Sequence, residues 1–165
     1  MLGSFASEFL NKFQKILDVN NSKKSKKKIS SMFKSTKTLL KYKIGQFAST
    51  TKTFSKKDVL QFAQLTGDIN SIHIKPNKEG KVVVHGCLLL GMFSAIGGTI
   101  LPGDGAFLAK ISNLKIIAPV LSDQKVVAKL EITRNIKNKF LETNGVITCG
   151  VSGDVLLEGV LVLKV

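Results

Sequence analysis

The chain has 165 residues, 44% of them hydrophobic, and a formal net charge of +14. That length suits one domain, and that apolar share supports a buried core, which excludes a disordered chain. The charge is lopsided: residues 1 to 57 carry 14 lysines against Glu8 and Asp18 alone, whereas residues 58 to 165 hold 11 basic and nine acidic side chains. A basic tail on a nearly neutral body signals targeting or a solvated extension more than nucleic-acid binding.

The leader repeats Leu2, Phe5, Ala6, Phe9, Leu10, Phe13, Ile16 and Leu17 at helical spacing, with Ser7, Asn11, Lys12 and Lys15 on the other face. A lysine-rich run from Ser22 to Lys28 follows, then a weaker amphipathic stretch with Met32, Phe33, Thr36, Leu39 and Leu40. Amphipathic, serine-rich and acid-poor, residues 1–42 have the composition of an organelle transit peptide, although lysine stands where mitochondrial presequences favour arginine. A helix docking on a membrane surface or a partner is the alternative. Lys23 to Lys28 also carries a weak nuclear-localisation signal. No apolar run reaches the roughly 18 residues that span a bilayer, so no transmembrane segment is expected.

Residues 43–165 read as the folded domain. Lys43 to Phe54 alternates loosely, as a first strand does. Ser55 is suited to cap a helix with Asp58 at its third position, and Val59, Leu60, Phe62, Ala63 and Leu65 give that helix an apolar face until Gly67 ends it. Gly86 to Ile96 is apolar nearly all round, which predicts a long buried central helix enclosed by other structure. After a glycine-rich loop from Gly97 to Gly105 the chain reads as strands. Val126, Ala128, Leu130 and Ile132 alternate with Val127, Lys129, Glu131 and Thr133, one face packed and the other partly wet. Asn135 to Asn138 and Ser152-Gly153-Asp154 are turn chemistry, bounding strands at Phe140 to Val151 and Val155 to Val165. Strands after a buried helix give an α+β domain, the helix wrapped by a curled antiparallel sheet.

The chain's two histidines fall in one region, Leu65-Thr66-Gly67-Asp68-Ile69-Asn70-Ser71-Ile72-His73 and then His85-Gly86. Asp68 and His73 lie just past a helix-ending glycine, where two titratable side chains can converge on one water. This run resembles the signature of the MaoC-like (R)-specific enoyl-thioester hydratases and 3-hydroxyacyl-thioester dehydratases, approximately Thr-Gly-Asp-x-Asn-Pro-Ile/Leu-His. The resemblance continues through Val84-His85-Gly86-Cys87-Leu88, Phe93-Ser94, Leu101-Pro102-Gly103, Pro119-Val120 and Leu157-Glu158-Gly159, covering about residues 53 to 165, and leans toward the mitochondrial type 2 dehydratases. Two positions depart from the pattern. Ser71 replaces the usual Pro, and Ser122-Asp123 replaces the more common Gly-Asp.

The resemblance implies a single hot-dog fold and reversible dehydration of an (R)-3-hydroxyacyl thioester to the trans-2-enoyl thioester. Asp68 and His73 would move protons, and the backbone N–H of Gly86, at a helix N-terminus, would meet the thioester oxygen. Asn70 would orient the loop or the water, although a plain Asx-turn explains it nearly as well. His85 would hold the loop carrying Asp68. Ser94, Ile100, Leu101, Pro102 and Phe107 would line the acyl site, or in the plainer alternative form packing and core. No metal and no cofactor is implied beyond the substrate's carrier, which is acyl carrier protein or CoA. Cys87 and Cys149 lie far apart without a CxxC, which suits a reducing compartment. A homodimer and a mitochondrial matrix location are expected. Two other functions compete: a hot-dog thioesterase, and a noncatalytic nucleic-acid module that uses the basic leader. Against the second stand the single Tyr and the absence of Trp for base stacking.

Overall fold

The computed structural model describes residues 42–137 and 139–165, so the leader helices read from the sequence lie outside the described residues. The domain begins with strand β1 (Phe47–Thr53), helix α1 (Lys56–Thr66), the single-turn helix α2 (Ser71–Ile74) and helix α3 (Gly86–Thr99). Strands β2 (Phe107–Ile116), β3 (Lys125–Ile136), β4 (Phe140–Cys149) and β5 (Val155–Lys164) follow. The five strands form one open antiparallel sheet in the order β1-β3-β4-β5-β2. Among the described residues no helix is long and apolar enough to cross a membrane.

Alternation makes the core. In β3 the side chains of Val126, Ala128, Leu130 and Ile132 are buried, and across the ladder Leu141 and Ile147 of β4 and Leu157, Leu161 and Leu163 of β5 join them. Helix α3 lies on this face through Leu89, Met92, Phe93 and Ile96. Two glycines let it come close. A Cβ on Gly145 of β4 would run into Leu161 and the Phe93 ring, and one on Gly97 of α3 would lie 2.9 Å from Leu163 Cδ2. The fully buried Phe93 ring thus occupies the space above a strand residue that has no side chain.

Two boundaries differ from the sequence expectation. The first strand starts at Phe47 rather than Lys43, because Gly45 adopts φ 82° and the Gln46 N–H closes a turn on the Lys43 carbonyl. Helix α3 runs to Thr99, and it is not enclosed on all sides. Cys87, Gly91, Ser94 and Ala95 form an exposed stripe, because an open sheet can cover only one side of a helix.

Helix α1 starts as its sequence dictates. Ser55 and Asp58 form a reciprocal capping box, and Gly67 ends the helix in the left-handed conformation at φ 77°. Hydrogen bonds from the Ser55 side chain, and next from its backbone N–H, hold the Asp58 carboxyl below its ordinary value. A carboxyl lowered on folding stabilises fully above its unfolded value and ceases to as the pH falls through the lowered one. Ser55→Ala should cost about 1 kcal/mol in urea denaturation at pH 7. The same difference should shrink in acid below about pH 4.

Candidate active site

The site is built where α1 stops. The left-handed Gly67 turns the chain out of α1, so Asp68 leaves the helix with its side chain 53% exposed. Asp68 Oδ1 accepts the Asn70 N–H at 3.3 Å, and Asn70 Oδ1 accepts the Ile72 N–H at 3.4 Å. Asn70 is therefore the cap of α2, in the Asx geometry that the sequence left open as its plainer role. That single turn had no signal in the apolar spacing. Ser71 is its first helical residue, which explains a proline there: the position leaves its N–H without an intrahelical partner and suits a preset φ.

His73 sits at the end of α2 with only 10% of its side chain exposed. Its Nδ1 lies 2.7 Å from the carbonyl oxygen of Val83. A carbonyl only accepts, so Nδ1 carries the hydrogen, and in the neutral ring Nε2 presents a lone pair. That lone pair faces Asp68, with Nε2 3.9 Å from Oδ2. The gap is too long for a direct hydrogen bond and suits one oxygen held by both groups.

Val83 clamps α2 twice, because its N–H also donates to the Ile72 carbonyl at 3.0 Å. The segment around it is tied down in turn. Val84 N–H meets the Val120 carbonyl, Ser122 N–H meets the Val82 carbonyl, and Val82 N–H donates to the buried Ser122 Oγ at 3.2 Å.

His85 is buried, with 2% of its side chain exposed. Its ring stacks on His73, centroids 3.7 Å apart and planes 22° from parallel, and tilts against Phe62 at 5.0 Å. Nε2 reaches the Asp68 carbonyl oxygen at 3.1 Å. Gly86 follows as the first residue of α3, so its N–H has no intrahelical acceptor and lies at the positive end of the helix dipole. A Cβ there would lie 2.9 Å from Ile116 Cδ1, so glycine lets this end of α3 pack closely against the Ile116 side chain.

The structure thus brings together Asp68, Asn70, His73 and Gly86, with His85 among them. Ser94 lies farther along α3, about 12 Å from Gly86 at 1.5 Å per residue, on the exposed stripe. Ile100 and Phe107 are each more than half exposed, Pro102 is partly buried after a cis peptide, and Leu101 is buried in the core cluster. Val83 and Ile116 were not singled out in the sequence, and Phe62 was read only as part of the apolar face of α1. Val83 acts through its main chain, which no side-chain pattern reveals.

Asp68, His73 and His85 offer ligand atoms within 4.8 Å of one another, as a metal site would. The ring geometry opposes that use. A metal bound about 2 Å from each nitrogen needs the in-plane lone pairs to converge, and stacked imidazoles send them side by side. His85 Nε2, moreover, is spent on the Asp68 carbonyl.

Residues 40–155 match the family described as MaoC like domain. The chain belongs to this family. It is 32% identical over 108 residues to the 3-hydroxybutyryl-CoA dehydratase of Methylorubrum extorquens, a match covering 62% of this chain and 67% of the relative. It is 38% identical over 100 residues to the (R)-specific enoyl-CoA hydratase of Rhodospirillum rubrum, covering 58% and 68%. The solved (R)-hydratase from A. caviae superposes with a TM-score of 0.69 at 30% identity, covering 75% of this chain and 97% of that one. The MaoC-like domain here has the hot-dog fold, α+β, and its family is one of hydro-lyases.

Proposed function

We propose that this MaoC-like protein catalyses the reversible hydration of a trans-2-enoyl thioester to the (R)-3-hydroxyacyl thioester, with Asp68 and His73 sharing the water. The observation that carries this reading is the 3.9 Å gap between Asp68 Oδ2 and a His73 Nε2 whose tautomer is fixed by Val83. As the water oxygen bonds to C3, its proton passes to His73 Nε2. The electrons of the double bond move toward the thioester oxygen, where the Gly86 N–H and the α3 dipole stabilise the enolate. The Asp68–His73 pair then returns a proton to C2, and dehydration runs the same path backward. Asn70 holds the loop. Ser94, Ile100, Pro102 and Phe107, all at least partly exposed, remain available to line an acyl site, whereas Leu101 belongs to the core cluster.

Crotonyl-CoA hydration, followed as loss of enoyl absorbance, tests the reaction, and release of free thiol instead would identify a thioesterase. Asp68→Asn and His73→Gln should each lower turnover at least about 10²-fold with KM nearly unchanged. The double variant should be little worse than either single one, because both groups act on one water. Multiplying losses, or near-normal turnover in either single variant, would return that residue to a packing role.

The exposed stripe on α3 and the apolar side chains Leu114, Ile116 and Ile117 at the open β2 edge support a homodimer in which a second copy covers them. Light scattering at micromolar concentration should give twice the chain mass. A fully active monomer would overturn this.

The basic, acid-poor leader supports a mitochondrial matrix location and a role in fatty-acid synthesis, with lysines meeting an acidic acyl carrier protein. A CoA-linked substrate uses the same site. Removing residues 1–42 should leave an active protein that no longer reaches the organelle, as imaging of a tagged chain would reveal. Unchanged location, or unfolding of the shortened chain, contradicts the leader's assignment.

A further inference from the structure

We infer that His85 is a positioning residue for the Asp68–His73 pair and that it does this in the tautomer opposite to that of His73; its catalytic consequence rests on the hydratase reading above. The two rings are stacked at 3.7 Å, yet each is pinned by a different main-chain carbonyl through a different nitrogen. Val83 O takes the hydrogen on His73 Nδ1. Asp68 O faces His85 Nε2 at 3.1 Å and can only accept, so His85 carries its hydrogen on Nε2. That leaves His85 Nδ1 as a lone pair. It is buried and has no hydrogen-bond partner among the described residues.

These facts separate the roles of the two histidines. Both Nε2 atoms lie 3.9 Å from Asp68 Oδ2, but His73 turns a lone pair there, whereas the Nε2 hydrogen of His85 is engaged by the Asp68 carbonyl and its Nδ1 is sealed from solvent, so His85 has no free position from which to exchange a proton with substrate. What it can do is hold. Its hydrogen bond fixes the peptide plane of Asp68, its face sets one side of the His73 ring, and its own main chain leads directly into Gly86. Three groups of the proposed reaction are therefore registered by one residue, two of them through its ring. An orphaned buried nitrogen is unfavourable in a folded protein, and a histidine that kept it only to fill space would be replaceable by an apolar ring.

The test uses the full chain. Long-range proton–nitrogen NMR of the imidazoles, assigned with His73→Gln since the chain has only two histidines, should find hydrogen on Nδ1 of His73 and on Nε2 of His85. Hydrogen on His85 Nδ1 overturns the inference whether or not the protein hydrates crotonyl-CoA. In the activity assay, His85→Phe keeps a flat ring on His73 but removes the donor, and should lower kcat at least about tenfold while KM changes less than about twofold. His85→Gln places an amide N–H at a similar reach and should recover kcat to within about threefold of the original. Undiminished kcat in His85→Phe, or equal losses in both variants, would reduce His85 to packing. Absence of hydration by the unsubstituted protein would instead defeat the functional reading, leaving the tautomer measurement to decide the geometry alone. Should His85→Phe fail to fold, His85→Gln and the tautomers still decide.

Discussion

The main chain of Val83 is the joint on which the site depends. Its N–H and carbonyl are spent on consecutive residues of α2, the carbonyl of Ile72 and the ring of His73. A four-residue helix has almost no stability of its own, because nucleating a turn costs more than its few hydrogen bonds return. Held at two points, it becomes a rigid mount. A histidine on a free loop would sample many rotamers, whereas this ring has its orientation, its tautomer and one face all determined by neighbours. The same segment continues into His85 and Gly86, so the clamp that aims His73 also sets where α3 begins.

Why the site faces outward follows from the architecture. One open sheet buries one side of α3, and the buried side is occupied by Leu89, Met92, Phe93 and Ile96. The side left over carries the small residues Gly91, Ser94 and Ala95, which no residue of the sheet covers. A helix with this composition has no charged group to solvate that stripe. The burial that stabilises the helix is therefore complete on one face and unfinished on the other, and the unfinished face begins beside Gly86.

The sequence was most legible where a side chain performs its function locally. Ser55 and Asp58 announce the start of α1, Gly67 its end, and Val126 to Ile132 the packed face of β3, because each pattern repeats what the backbone needs at that position. The apolar run of α3 was legible as a helix but not as a half-open one, since residue type alone does not say how many sides are covered. Leu101 illustrates the same limit: a leucine beside a proline and a glycine suits an acyl wall and a core equally, and this one is buried in the core cluster. Asp68 and His73 were singled out from residue type, spacing and the family resemblance, whereas the carbonyls of Val83 and Asp68 that orient the two histidines have no side-chain signature at all. Contacts made by main-chain atoms across ten or more residues are set by the fold, and periodicity carries no record of them.

The two departures from the family pattern meet on this same strut. Ser71 opens α2, where its free φ costs some of the preorganisation that a proline supplies. Ser122 stands at the other end, fully buried, and its Oγ accepts the N–H of Val82 at 3.2 Å. A glycine there has no such acceptor, and a buried N–H left without one costs about 1 to 3 kcal/mol. Asp123 completes the turn in the left-handed region at φ 64°, where aspartate is tolerated, and its N–H ties the strut to Phe54 at the entry to α1. The change that loosens the mount of His73 is thus accompanied by a bond that tightens the segment holding it. Rigidity at Val83 is a property of both ends of the strut, and a proline before the histidine is one way to supply it rather than a requirement of the chemistry.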